Sequence, residues 1–121
     1  MTKTVMIIDD AVSTRGLLNM TLSNAGYDVI EAGDGKEAMQ KLSGKEVHLC
    51  IVDLYMPNMD GMELIKTLKA NPKHKFIPIV VLTKEDAAEM KRQGQAAGAK
   101  AWIVKPFKPK TILDVVKKII G

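Results

Sequence analysis

Five short apolar runs, residues 5–8, 27–32, 49–52, 77–82 and 101–104, recur along the chain, and each gives way to polar or turn-forming residues. Runs of this length are too short for buried helices and suit parallel strands covered on both faces. Between them the apolar period lengthens. Leu17, Leu18, Met20, Thr21 and Ala25 precede Gly26; Ala38, Met39 and Leu42 precede Ser43-Gly44; Met62, Leu64, Ile65 and Leu68 precede Asn71-Pro72. A polar, alanine-rich stretch, 85–97, ends at Gly98, and Ile112, Val115, Val116, Ile119 and Ile120 form the stripe of a last helix. These are helix periods with helix stops. Strands and helices that alternate in this way build an α/β fold, a single doubly wound parallel sheet of the (βα)5 type with right-handed crossovers and helices on both faces. Pro78 is expected near a strand start, where no ladder hydrogen bond is lost. Gly16, inside the first helix, costs roughly 1 kcal/mol relative to alanine with no visible return.

The 121 residues, 46% hydrophobic and 26% charged, fit one globular domain spanning 1–121. The lone cysteine, Cys50, has no disulfide partner and sits in the central apolar run, so it reads as a buried, inert thiol. Near the amino terminus only residues 5–8 are apolar before two aspartates, far short of a signal peptide or a membrane span, so a cytoplasmic protein without a membrane partner is expected. The net charge is +4 but uneven. Residues 1–83 hold 9 Lys/Arg against 10 Asp/Glu, whereas 84–121 hold 9 against 4. A solvated surface accounts for scattered lysines, and a docking face for an acidic partner is the alternative.

The strand ends carry the chemistry. The first run stops on Asp9-Asp10, the third on Asp53, the fourth on Thr83 and the fifth on Lys105. Open parallel sheets bind ligands in the crevice outside the carboxyl ends of their strands. Asp53 alone could simply start the turn before Pro57, and Lys105 alone could be a solvated lysine. Asp10 or Ser13 could cap the first helix, and Thr83 with Asp86 resembles an N-cap pair. Together the five polar groups make a site. Carboxylates about 4 Å apart repel by roughly 4 kcal/mol at an effective dielectric near 20, which calls for a cation between them. Oxygen ligands alone favour Mg²⁺, which keeps waters and accepts phosphate oxygens. Thr83 offers a hydroxyl donor and Lys105 a point charge, so Asp53 is the candidate nucleophile toward phosphorus. Trp102 reads more readily as core than as a stacking ligand. His48 and His74 lack metal-spaced partners.

These residues resemble the receiver domain of bacterial response regulators, and within it the CheY-like chemotaxis branch. The resemblance rests on Asp9-Asp10, Asp53 with Met-Pro-Asn-Met-Asp-Gly downstream, Thr83, and Lys105-Pro106-Phe107, and it covers essentially the whole chain. It implies a flavodoxin-like strand order of 2-1-3-4-5 and a signalling protein rather than a classical enzyme, with Asp53 as phosphoacceptor for a histidine kinase. It also implies Mg²⁺ held by Asp10, Asp53 and the backbone carbonyl of Tyr55, with Asp9 acting through water, Thr83 and Trp102 as switch residues, and a cis Lys105-Pro106 bond. Two positions depart from the best-known pattern: the switch aromatic is Trp102, and the bulky Tyr55 stands two beyond the phosphoacceptor, where with Glu85 it borders the approach of water and is expected to shield the phosphoryl group.

A flavodoxin-type carrier would need an uncharged phosphate loop where Asp9-Asp10 stand. An aspartyl phosphatase usually has Asp-x-Asp there, and an inactive scaffold would not need Asp53, Thr83 and Lys105 together. No DNA-binding motif follows the fifth helix, so no nucleic-acid partner is expected. The output is expected to be contact between a monomer and an effector protein. Its acidic segment, with one or two apolar anchors such as one for Leu113, would meet Arg92, Lys100, Lys108, Lys110, Lys117 and Lys118.

Overall fold

The computed structural model describes residues 2–54, 61–83 and 88–121. Strands β1 (Thr4–Ile8), β2 (Asp28–Ala32), β3 (Leu49–Asp53), β4 (Ile79–Thr83) and β5 (Ala101–Val104) alternate with helices α1 (Val12–Asn24), α2 (Gly35–Leu42), α3 (Gly61–Ala70), α4 (Ala88–Ala96) and α5 (Pro109–Ile120). The five strands form one sheet in the order β2-β1-β3-β4-β5, parallel at every pairing. The expected α/β doubly wound architecture and strand order are therefore present. Pro78 precedes β4, and its carbonyl accepts from the Cys50 amide at 3.0 Å.

Alternation along the strands sorts the side chains into two cores. Met6, Ile8, Cys50, Val52, Ile79 and Val81 meet Ala38 and Leu42 of α2 and Leu64, Ile65 and Leu68 of α3. Val5, Ile7, Leu49, Ile51, Val80, Leu82 and Ile103 meet Leu18 and Leu22 of α1 and Ile112 and Val116 of α5. A strand buried on both faces must be apolar at successive positions, which is why β1, β3 and β4 read as unbroken runs. Burial also pushes the Cys50 thiol up to about 12, outweighing the opposing charge of Lys69, so the thiolate that would react is almost absent at neutral pH. His48 accepts the Thr4 amide on Nδ1 at 2.9 Å, a structural role at the start of β1.

α1 corrects the periodicity reading. Leu18 and Leu22, one turn apart, are its buried residues, whereas Leu17 and Met20 are 39% and 59% exposed. Two adjacent leucines cannot both face the sheet at 100° per residue, and the α5 side of the groove selects Leu18. Leu113 and Ile119 pack, partly buried, at the edge of the second core. Gly16 lies on the exposed side of α1, and a Cβ there would meet nothing within 4 Å. Gly16→Ala is thus expected to stabilise the protein by about 0.4–1 kcal/mol, seen as a higher urea midpoint. A lower midpoint would mean that the site is constrained by something other than helix propensity.

Candidate functional site

Sheet register brings the polar strand ends together. Ile8 pairs with Val52, so Asp9 and Asp53 emerge side by side from β1 and β3. Asp53 pairs with Leu82, which sets Thr83 one residue beyond it on the next strand, and Thr83 pairs with Val104, one before Lys105. With neighbouring strands about 4.8 Å apart, the groups line one edge. The strand order reverses between β1 and β3, so connections diverge to opposite faces and leave a crevice at the two aspartates.

Asp9, Asp53 and Thr83 are the buried polar residues of the described core. Lys105 Nζ reaches Asp9 Oδ2 at 2.7 Å and Asp53 Oδ2 at 3.4 Å, spanning both carboxylates. Burial alone would lower the Lys105 pKa, but the hydrogen bond to Asp9 and the charges of Asp53 and Asp9 outweigh it and hold the group above the ordinary lysine value of 10.5. The ammonium is therefore charged throughout the neutral range. Its stabilising contribution is fully present below 10.5 and is lost only as pH rises past the raised folded value. The Lys105-Pro106 bond is cis, as expected.

Asp9 Oδ1 also accepts from the Ala11 amide at 2.9 Å, and Ala11 is the N-cap residue of α1, so neither Asp10 nor Ser13 takes the capping position considered for it. Asp10 is exposed at the mouth of the crevice. One carboxylate oxygen from each of Asp9, Asp10 and Asp53 lies within 4.8 Å of the others. Three oxygen donors, two of them buried and one open to water, fit a hard divalent ion that retains part of its hydration shell. The Tyr55 carbonyl, Glu85 and Asp86 lie outside the described residues. Trp102 stands on β5 opposite Val81, half-buried against the first core.

Two contributors were not legible as such. Arg15 donates from Nη1 to the Asp9 carbonyl at 2.7 Å and from Nε to Glu31 at 3.2 Å, tying the loop after β1 to β2. Its only sequence signal is a cation one turn into α1. Gly61 reads as a turn residue, yet a Cβ on it would lie 2.2 Å from the Asp53 carbonyl oxygen and 2.6 Å from Leu54 Cα. The start of α3 thus rests on the backbone of the central aspartate, and the Gly61 amide donates to Leu54 O at 3.1 Å.

A parallel five-stranded sheet in the order β2-β1-β3-β4-β5, with acids, a hydroxyl and a lysine at its switch point, has the flavodoxin-like architecture. Residues 5–117 match the response regulator receiver domain, and the chain belongs to that family. It is 34% identical to chemotaxis protein CheY1 of Helicobacter pylori over 119 residues, 97% of this chain and 96% of that one. It is 36% identical over 120 residues to the alkaline phosphatase synthesis transcriptional regulatory protein PhoP of Bacillus subtilis, covering 99% of this chain and 49% of that protein, so it spans about half of PhoP's length. The solved structure of Vibrio cholerae chemotaxis protein CheY4 superposes with a TM-score of 0.94 at 38% identity, covering 99% of this chain and 100% of that one. The chain is accordingly a CheY-like receiver domain of two-component signalling. No helix among the described residues is long and apolar enough to cross a membrane.

Proposed function

We propose that the chain is a phosphorylatable switch, a single receiver domain over 1–121 that takes a phosphoryl group from a histidine kinase onto Asp53 and signals in chemotaxis from the cytoplasm as a monomer. The carrying observation is the Lys105 ammonium between the buried Asp9 and Asp53 carboxylates at the switch point. In the transfer an Asp53 carboxylate oxygen attacks phosphorus while the bond from phosphorus to the donor imidazole nitrogen breaks. The bonding pair stays on that nitrogen, and Asp53 becomes an acyl phosphate. Lys105 and the Thr83 hydroxyl then meet phosphoryl oxygens, which positions the group without covalent work of their own. Mg²⁺, when held by Asp10, Asp53 and the Tyr55 carbonyl with Asp9 acting through water, supplies positive charge that offsets the carboxylates and the incoming phosphoryl oxygens. Thr83 drawn toward the phosphoryl group then leaves space beside β5 into which Trp102 can turn.

Intact mass after incubation with acetyl phosphate and Mg²⁺ tests the reading. A gain of one phosphoryl group, lost in excess chelator, supports it; no gain under any condition overturns it. The comparable identity to PhoP favours a second reading, a receiver in a phosphorelay outside chemotaxis. Unaltered swimming in a gradient by cells lacking this chain would select it.

Signalling is expected through the face built by α4, β5 and α5, where Arg92, Lys100, Lys108, Lys110, Lys117 and Lys118 are exposed. Lys110 already meets Asp114 at 3.1 Å, so Lys117 and Lys118 are the stronger candidates for an acidic partner. Lys117→Glu with Lys118→Glu is expected to slow association with the effector by about tenfold or more, and wild-type association should fall as salt rises. Stopped-flow binding at two ionic strengths checks both. Rates indifferent to salt and to the substitutions would remove the acidic docking segment from the proposal.

A further inference from the structure

Gly94 lies in the last turn of α4, where glycine disfavours the helix by up to about fivefold in equilibrium relative to alanine. The position is buried, and a Cβ built on it would lie 3.0 Å from Cζ3 and 3.3 Å from Cε3 of Trp102, with Val81 Cγ2 at 3.8 Å. The six-membered ring of the indole therefore rests on a helix backbone that only glycine leaves bare. Both contact atoms belong to that ring, so one methyl group is enough to disturb it. At the other end of the side chain, Nε1 is buried and finds no hydrogen-bond partner among the described residues. A buried, unmet donor favours any arrangement in which it gains an acceptor. Trp102 also lines a cavity of about 210 Å³ with Gln95, Ala99, Lys100 and Ala101, so there is room beside the seat. Apolar packing on Gly94 and Val81 holds the ring in, and the unmet N–H works against it. Opposed terms of this kind make a side chain that modest changes can move.

We propose that Gly94 is the positioning residue for Trp102: its missing Cβ forms the seat of the indole between α4 and β5 and sets the resting position from which Trp102 switches. This rests on the reading of Trp102 as a switch residue and adds to it the element that decides how much of the population is seated. Because β5 pairs with β4 through Val81 and Trp102, two residues before Thr83, the seat lies beside the strand end that the phosphoryl group would pull.

The test uses the full chain, in which Trp102 is the only tryptophan. Gly94→Ala should shift its emission to longer wavelength and raise acrylamide quenching, and it should lower the folding constant although alanine is the better helix former. In a Trp102→Ala background the same Gly94→Ala change should raise the folding constant, by up to about fivefold, because only helix propensity remains. Wild-type emission and quenching in Gly94→Ala, with a stability gain in both backgrounds, would overturn the seat. Acetyl phosphate with Mg²⁺ then separates the two claims. An emission change in the wild type that shrinks in Gly94→Ala supports both. A wild-type emission unmoved by complete phosphorylation, with the stability cycle as expected, overturns the switch reading and not the seat.

Discussion

Asp53→Asn is expected to abolish phosphoryl uptake completely while leaving the protein folded. An amide lacks the anionic oxygen that attacks phosphorus. Its neighbours do not replace it: Asp9 is fastened to the Ala11 amide and to Lys105, and Asp10 is exposed at the mouth of the crevice. Folding should persist because the substitution removes one of two buried like charges, whose repulsion at about 4 Å amounts to a few kcal/mol at an effective dielectric near 20, and keeps the Asp9–Lys105 pair. Intact mass with acetyl phosphate and Mg²⁺ gives the first result, and a urea midpoint no lower than that of the wild type gives the second. A folded Asp53→Asn protein that still gains one phosphoryl group would assign the acceptor elsewhere.

The other large effect is expected at Gly61. A methyl group there would stand 2.2 Å from the Asp53 carbonyl oxygen and 2.9 Å from the carbonyl carbon, and backbone, unlike the tip of a flexible side chain, cannot step aside. Either α3 lifts from the sheet or the end of β3 is displaced. Overpacking commonly costs 1–3 kcal/mol and occasionally more, and against backbone we expect about 3 kcal/mol. For a domain stable by roughly 5–15 kcal/mol that is a substantial share. Displacing the reacting carboxylate by about 1 Å should also slow phosphorylation by about 10²-fold. Urea denaturation and the rate of mass gain measure the two effects. Gly16→Ala, placed where nothing lies within 4 Å, is the matched control and should change stability in the opposite direction. A wild-type midpoint and rate in Gly61→Ala would show that the start of α3 does not brace Asp53.

The elements themselves were legible because a strand buried on both faces must be apolar without interruption and a helix laid on a sheet must repeat its apolar residues every three or four positions. Asp9, Asp53, Thr83 and Lys105 were legible as strand-end residues for the same reason: each breaks an apolar run at its carboxyl end. The pattern did not rotate α1. Leu17 and Leu18 are equally apolar, and only contact with the sheet and α5 buries one of them.

What the sequence determined by itself was the alternation of elements and the residue types available at each strand end, since both follow from local periodicity. What tertiary structure decided was every relation between distant residues. Lys105 meets Asp9 across 96 positions because β4 and β1 each pair with β3, and no local period encodes that neighbourhood. The three glycines make the same division. Gly16, Gly61 and Gly94 are alike in the chain, yet one faces open space, one bears on the Asp53 backbone and one on the Trp102 ring. A missing side chain acquires a role only from what approaches it, and that approach exists only once the sheet and its helices have closed together.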